Sequence, residues 1–261
     1  MIGATNGRFV EAFKKVATLH AKNNFSLSLL TGDLFSDPSL TPPEESANIA
    51  SLLRGDVAIP LPTYFTLGKY PLPSPVREKL SRSQGEVCEN LFFLGKKSVL
   101  STSEGIRIVA LGGRLEPALV SSGLAEGNED AEELPFYSVR DAKGLKGAND
   151  ADLLLTYEWP EGVSNKSAVP TTSSRLPGSG AIAELATALR PRYHFAAGGE
   201  EFWEREPYRN LPAKDEGSEP VKITRFLGIA DWGNPGKAKV GAFPLSPPKY
   251  KFSEGEEAKR G

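Results

Sequence analysis

The residue types able to do chemistry in this 261-residue chain are few, and they gather in one stretch. Residues 190–210 read RPRYHFAAGGEEFWEREPYRN and hold His194, one of only two histidines, among five aromatic rings, arginines and glutamates. A histidine in a short apolar run closed by Gly198-Gly199 has the setting of a residue at a strand end. There an imidazole serves as a general base near neutral pH or as a metal ligand. Either role needs partners from neighbouring loops. The loops that could supply them are Gly3-Ala4-Thr5-Asn6-Gly7, Gly32-Asp33, Gly68-Lys69-Tyr70 and Tyr157-Glu158, each after an apolar run. Asn6 and Asp33 are the groups among them best suited to sit beside His194.

Those loops must be held by a core, and the chain is long enough to bury one. Apolar residues make up 39% of it, with 21 Pro and 26 Gly, a balance that fits a folded domain with long irregular loops. The formal charge of −2 gives no global field for nucleic acid, so any such contact must be local. A lone cysteine, Cys88, excludes an internal disulfide framework and suits a reducing compartment. No apolar run is long enough for a membrane helix, and no signal-peptide pattern is present. That reducing compartment is the cytosol or the nucleus, and no membrane partner is expected.

Helical periodicity covers residues 8–22, where Phe9, Phe13, Val16 and His20 share a face. His20 reads as a packed helix edge. Strands are expected at 25–30, 63–67, 106–111, 152–156, 193–197, 221–230 and 239–243, with a weak helix at 45–53. Residues 91–94 and 98–100 flank Gly95-Lys96-Lys97 as in a hairpin, which would put both lysines at a solvated tip. Residues 116–133 read as an acidic surface loop and 160–177 as a Ser/Thr/Pro-rich loop. Ser138 and Asp141 have the spacing of a capping box, and Ser179 can cap a helix over 180–189. Met1-Ile2 leaves room for only a very short first strand, or for a chain cut from a longer one. The expected organisation is one domain over 1–250 and a flexible charged tail over 251–261.

The ordered loops resemble those of the metallophosphoesterases. That family carries Asp-x-His, Gly-Asp-x-x-Asp, Gly-Asn-His-Glu, a lone His and Gly-His-x-His at successive strand ends. Two metals roughly 3.5–4 Å apart are held there by carboxylate and imidazole. On this chain Ala4 and Asn6 stand at the first motif, Gly32 and Asp33 at the second with Ser36 for its last Asp, and Lys69 and Tyr70 after Gly68 at the third. Tyr157 stands at the fourth, and His194 at the fifth with Ala196 where a second His would be. A narrower set is similar to the N-terminal domain of the CwfJ-like splicing-associated family, which includes the debranching-enzyme-associated ribonuclease group. It comprises Pro191 to Ala196, Pro207-Tyr208-Arg209-Asn210, Thr224-Arg225-Phe226 and Gly233-Asn234-Pro235, over about residues 3–244.

The resemblance implies a layered α/β sandwich of metallophosphoesterase type with mixed sheets. It also implies a splicing and intron-lariat setting, with the lariat debranching enzyme or late spliceosome components as partners. With two histidines in the whole chain, the dinuclear site reads as lost, so no cofactor, no metal and no catalysis are expected. Asn6, Asp33 and His194 are then vestigial positions, and the domain a protein-interaction scaffold. Two other readings stand beside it: a weak phosphodiesterase or ribonuclease using Asp33 and His194, and an RNA-binding module. For an interface or RNA contact the candidates are Arg192, Tyr193, Tyr208 and Arg209, since guanidinium and aromatic groups together suit stacking. The plainer reading makes Phe202 and Trp203 core and pairs the arginines with Glu200, Glu201, Glu204 and Glu206.

Overall fold

In the computed structural model, residues 1–116, 134–171, 178–199, 201–209 and 222–233 are described. The order is α1 (Phe9–Asn23), β1 (Ser28–Leu30), α2 (Pro43–Arg54), β2 (Thr63–Phe65), α3 (Ser74–Leu80), β3 (Glu86–Cys88), β4 (Leu91–Phe93), β5 (Lys97–Ser101) and β6 (Arg107–Leu111). It continues with β7 (Arg114–Leu115), β8 (Phe136–Tyr137), α4 (Val139–Leu145), β9 (Leu153–Thr156), α5 (Gly180–Leu189), β10 (Tyr193–Ala196), β11 (Trp203–Glu204), β12 (Tyr208–Arg209) and β13 (Ile223–Gly228).

Two sheets form the centre. The first runs β1-β2-β4-β3, and the second β11-β13-β10-β9-β6-β5, with β12 also on β13. Ile2 adds a single parallel bridge to Leu30 at the edge of the first sheet. In the second sheet β6, β9, β10 and β13 are parallel and β5 and β11 antiparallel to their neighbours, a mixed sheet as expected.

Because side chains alternate across a strand, each sheet offers two apolar faces. Leu30, Phe65 and Leu91 face Phe9, Phe13, Leu52 and Val76 of the first three helices. Leu29 lies on the other face, packed with Ile108, Leu153, Leu155, Phe195 and Leu227 of the second sheet. The far side of that sheet turns Val109, Leu111 and Leu154 toward Ala142, Leu145, Ile182 and Leu185 of α4 and α5. Four layers result, helix–sheet–sheet–helix, in agreement with a layered α/β sandwich.

The local signals hold where they have a physical cause. Ser138 Oγ accepts the Asp141 N–H while Asp141 accepts the Ser138 N–H, a complete capping box at α4. Ser179 accepts the Ile182 N–H at the start of α5. The hairpin at Gly95-Lys96-Lys97 is a correction. β4 pairs with β2 and β3 in the first sheet, and β5 pairs with β6 in the second, so this segment crosses between sheets. Lys96 is buried, not at a solvated tip, and both lysines approach the Asp141 carboxylate, at 3.9 Å and 2.8 Å. The short helix α3 and the strands β3, β7, β8, β11 and β12 were not legible, being too short to show a period. The expected acidic loop (except Glu116), part of the 160–177 loop, the strand at 239–243, Glu200, Asn210, Asn234-Pro235 and the tail lie outside the described residues.

Candidate functional site: a strand-end carboxylate cluster

The C-terminal ends of Ile2, β1, β2, β10 and β13 bring their loops together, the usual place for chemistry in such sheets. Gly32 adopts φ +86°, and a Cβ there would lie 2.9 Å from the Ala197 Cβ and 3.0 Å from the Ala4 Cβ. Three loops thus meet at contact distance, which only small residues allow. The Asp33 carbonyl accepts the N–H groups of Thr5 and Asn6, and the Ala4 carbonyl accepts that of Trp232.

Asp33 is the centre of this cluster. Its two carboxylate oxygens accept the N–H of Tyr70 at 2.9 Å and of Lys69 at 3.1 Å, so it clamps the β1 end to the β2 end. Gly68 passes so close that a Cβ would lie 2.4 Å from the carboxylate atoms. Burial pushes the Asp33 carboxyl up to about 6, against the two N–H bonds and the Lys69 charge; the Asp231 charge pushes the same way as burial.

Asp231 is a residue that the sequence reading missed, although it follows an apolar strand as Asp33 does. Its carboxylate accepts from the Asn6 amide at 2.9 Å. Arg8 donates to the Trp232 carbonyl beside it. Glu45 was also missed. It rises from the first turn of α2, is buried, and accepts the N–H of Ser36 at 2.9 Å and its hydroxyl. Gly7, at φ +88°, lies against the same carboxylate, where a Cβ would be 2.3 Å from Oε2. Glu158 accepts the Leu115 N–H at 2.9 Å and the Tyr137 hydroxyl, while the preceding Tyr157 carbonyl accepts the Gly198 N–H at 2.7 Å.

His194 stands elsewhere. It sits within β10, paired with Leu154 and Phe226, and is fully buried. The strand end that faces the cluster is Ala196-Ala197, two to three residues on, so a place for His194 at the strand end is corrected. Its Nε2 lies 2.9 Å from Thr156 Oγ1, whose own hydroxyl donates to the Glu158 carbonyl. With that proton committed, Nε2 carries the hydrogen and Nδ1, which finds no partner, bears the lone pair. The ring meets Phe226 edge-on at 5.1 Å, beside Trp159 stacked on Trp203 at 5.4 Å. Burial holds the imidazole down to about 3, so it stays neutral at any ordinary pH.

A dinuclear metal centre does not fit these residues. The Ala4 position offers no ligand atom, and the Lys69 ammonium stands beside Asp33 where a metal would be. Among the described residues no three His, Cys, Asp or Glu side chains converge.

The interface candidates are divided between the two faces of the second sheet. Tyr208 packs on the Trp159, Trp203 and Phe226 cluster beneath the Arg205 guanidinium, 4.3 Å from its ring centroid. Tyr193 packs on the other face of the sheet, stacked on Phe195 at 5.9 Å. Trp203 is core. Arg205 donates to the carbonyls of Val163 and Asn165, not to the neighbouring glutamates, and Arg192 lies 3.6 Å from Asp152.

No family model matches the chain. It is 33% identical over 246 residues to the CWF19-like protein 1 homolog of Caenorhabditis elegans, covering 91% of this chain and 41% of that protein. It is 31% identical over 249 residues to the CWF19-like protein mug161 of Schizosaccharomyces pombe, covering 95% and 42%. It is 30% identical over 258 residues to the zinc finger CCCH domain-containing protein 64 of Arabidopsis thaliana, covering 92% and 39%. The chain therefore spans about two fifths of the length of the curated relatives it matches. Two of these three relatives are named CWF19-like, and similarity of this extent over most of the chain supports a CWF19-like family relationship.

Proposed function

We propose that this chain is a metallophosphoesterase-like domain without catalytic activity, serving as a protein-interaction scaffold in a nuclear factor of pre-mRNA splicing and intron-lariat turnover. The observation that carries it is the set of groups beside Asp33. The first loop brings Ala4, which has no ligand atom, and the third brings the Lys69 ammonium, which repels a metal ion and has no lone pair to give it. The four-layer arrangement and the position of the loops at parallel strand ends agree with this fold type. The CWF19-like relatives favour the splicing setting. The partner expected is the lariat debranching enzyme or another late spliceosome component.

Two measurements test it. Elemental analysis of the purified chain, after equilibration with manganese and desalting, should give well under one ion per chain; two tightly held ions would sink the reading. Calorimetric titration with purified debranching enzyme, and capture from nuclear extract, should show association. Failure of both would remove the scaffold role. One observation favours a second reading, a weak phosphodiesterase: a carboxyl that titrates near 6 beside a second carboxylate can exchange protons near neutral pH. It would run through Asp33, since buried His194 cannot reach a substrate. Hydrolysis of branched RNA that disappears in Asp33→Asn would establish it.

A further inference from the structure

We propose that the exposed end of the face of β13 and β10 that turns toward the first sheet binds single-stranded RNA through Arg225, Tyr193 and Arg209. Ile223, Arg225 and Leu227 alternate onto one face of β13, and Leu227 is buried between the two sheets. Toward the start of the strand the first sheet no longer covers that face. Arg225 is exposed there, and Ile223 is 49% exposed. Arg209 is opposite Ile223 in register and therefore on the same face, and Tyr193 is opposite Arg225. Arg192, also exposed, precedes Tyr193.

Charge and shape together name the occupant. Among the described residues neither Arg209 nor Arg225 is in an ion pair, although the chain as a whole is slightly acidic. Asp152 lies beside Arg192, and Glu204 is on this face only farther along, opposite Leu227. The Arg225 guanidinium is held over the Tyr193 ring, 5.7 Å from its centroid, and that ring is itself nearly parallel to Phe195, at 4°. A guanidinium held over an aromatic ring beside further cations suits a base and its phosphates. An acidic peptide would use the arginines but not the ring. This face is at the N-terminal ends of the parallel strands, away from the Asp33 cluster, and needs nothing from it.

The test is fluorescence anisotropy of a labelled 12-nucleotide single-stranded RNA with the full chain, from 25 to 200 mM KCl. Binding should weaken with salt, and Arg225→Ala should make the log–log slope shallower by about 0.7, one phosphate contact on a single strand. Tyr193→Ser should weaken binding at least about fivefold at fixed salt, the lower range of one lost stack. Lys14→Glu, an exposed change on α1, should leave binding unchanged. Circular dichroism confirms that each variant is folded. Absence of binding at 25 mM KCl, or equal binding by Arg225→Glu, overturns the proposal. Equal affinity for polyglutamate, with no effect of Tyr193→Ser, overturns it in favour of an acidic protein partner.

Discussion

Replacing Asp33 by asparagine tests the clamp through its pH dependence. The carboxyl is raised from its ordinary 3.8 to about 6 by burial, so the folded chain keeps this proton through a range where the unfolded chain has lost it. Stability from this group is therefore greatest below its unfolded value and falls as pH rises through about 6. A shift of about two units at roughly 1.4 kcal/mol each amounts to about 3 kcal/mol lost across the window. The side chain of the Asp33→Asn variant carries no charge and has no such term. Its amide also supplies one acceptor for two N–H donors, a cost of roughly 1–3 kcal/mol that does not vary with pH. The readout is urea unfolding followed by tryptophan fluorescence at intervals from pH 4 to 7.5. Subtracting variant from wild type cancels the other titrating groups, and this difference should move by about 3 kcal/mol against the wild type as pH rises. Parallel profiles would refute the raised carboxyl, and a difference of opposite sign would show Asp33 to be held as an anion.

Ser138→Ala removes the hydroxyl from the α4 capping box and should cost about 1 kcal/mol in chemical denaturation. Gly7→Ala combines φ +88° with a Cβ 2.3 Å from the Glu45 carboxylate, and thermal unfolding should show a loss larger than the roughly 1 kcal/mol of the backbone conformation alone. Phe226→Ala opens a cavity under Trp159 and His194 and should cost about 3–5 kcal/mol, visible as a lower denaturant midpoint. The His194 ring signals in a proton–carbon NMR spectrum should not titrate between pH 5 and 8, since burial holds this imidazole neutral to about 3. A midpoint near 6.5 would place it in solvent.

The sequence by itself determined whatever depends on neighbours along the chain. The periodicity of Phe9, Phe13 and Val16 marked α1, the Ser138 and Asp141 spacing marked a cap, and apolar runs marked β1, β2, β6, β9, β10 and β13 with the loops at their ends. The poverty in histidine was likewise plain before any coordinates. Only the tertiary structure decided what those loops do with one another. Asp33 reaches Lys69 and Tyr70, 36 and 37 residues on, and Asn6 reaches Asp231 across 225 residues, contacts for which no local pattern exists. Gly95-Lys96-Lys97 looked like a hairpin because turn chemistry is local, while the choice of sheet for β4 and β5 rests on which apolar face each strand can bury. For the same reason His194 looked like the end of a strand and proved to be its interior. Where β10 stops is set by its register against β9 and β13, and that register leaves the imidazole under Phe226 and brings Ala197 to the loops.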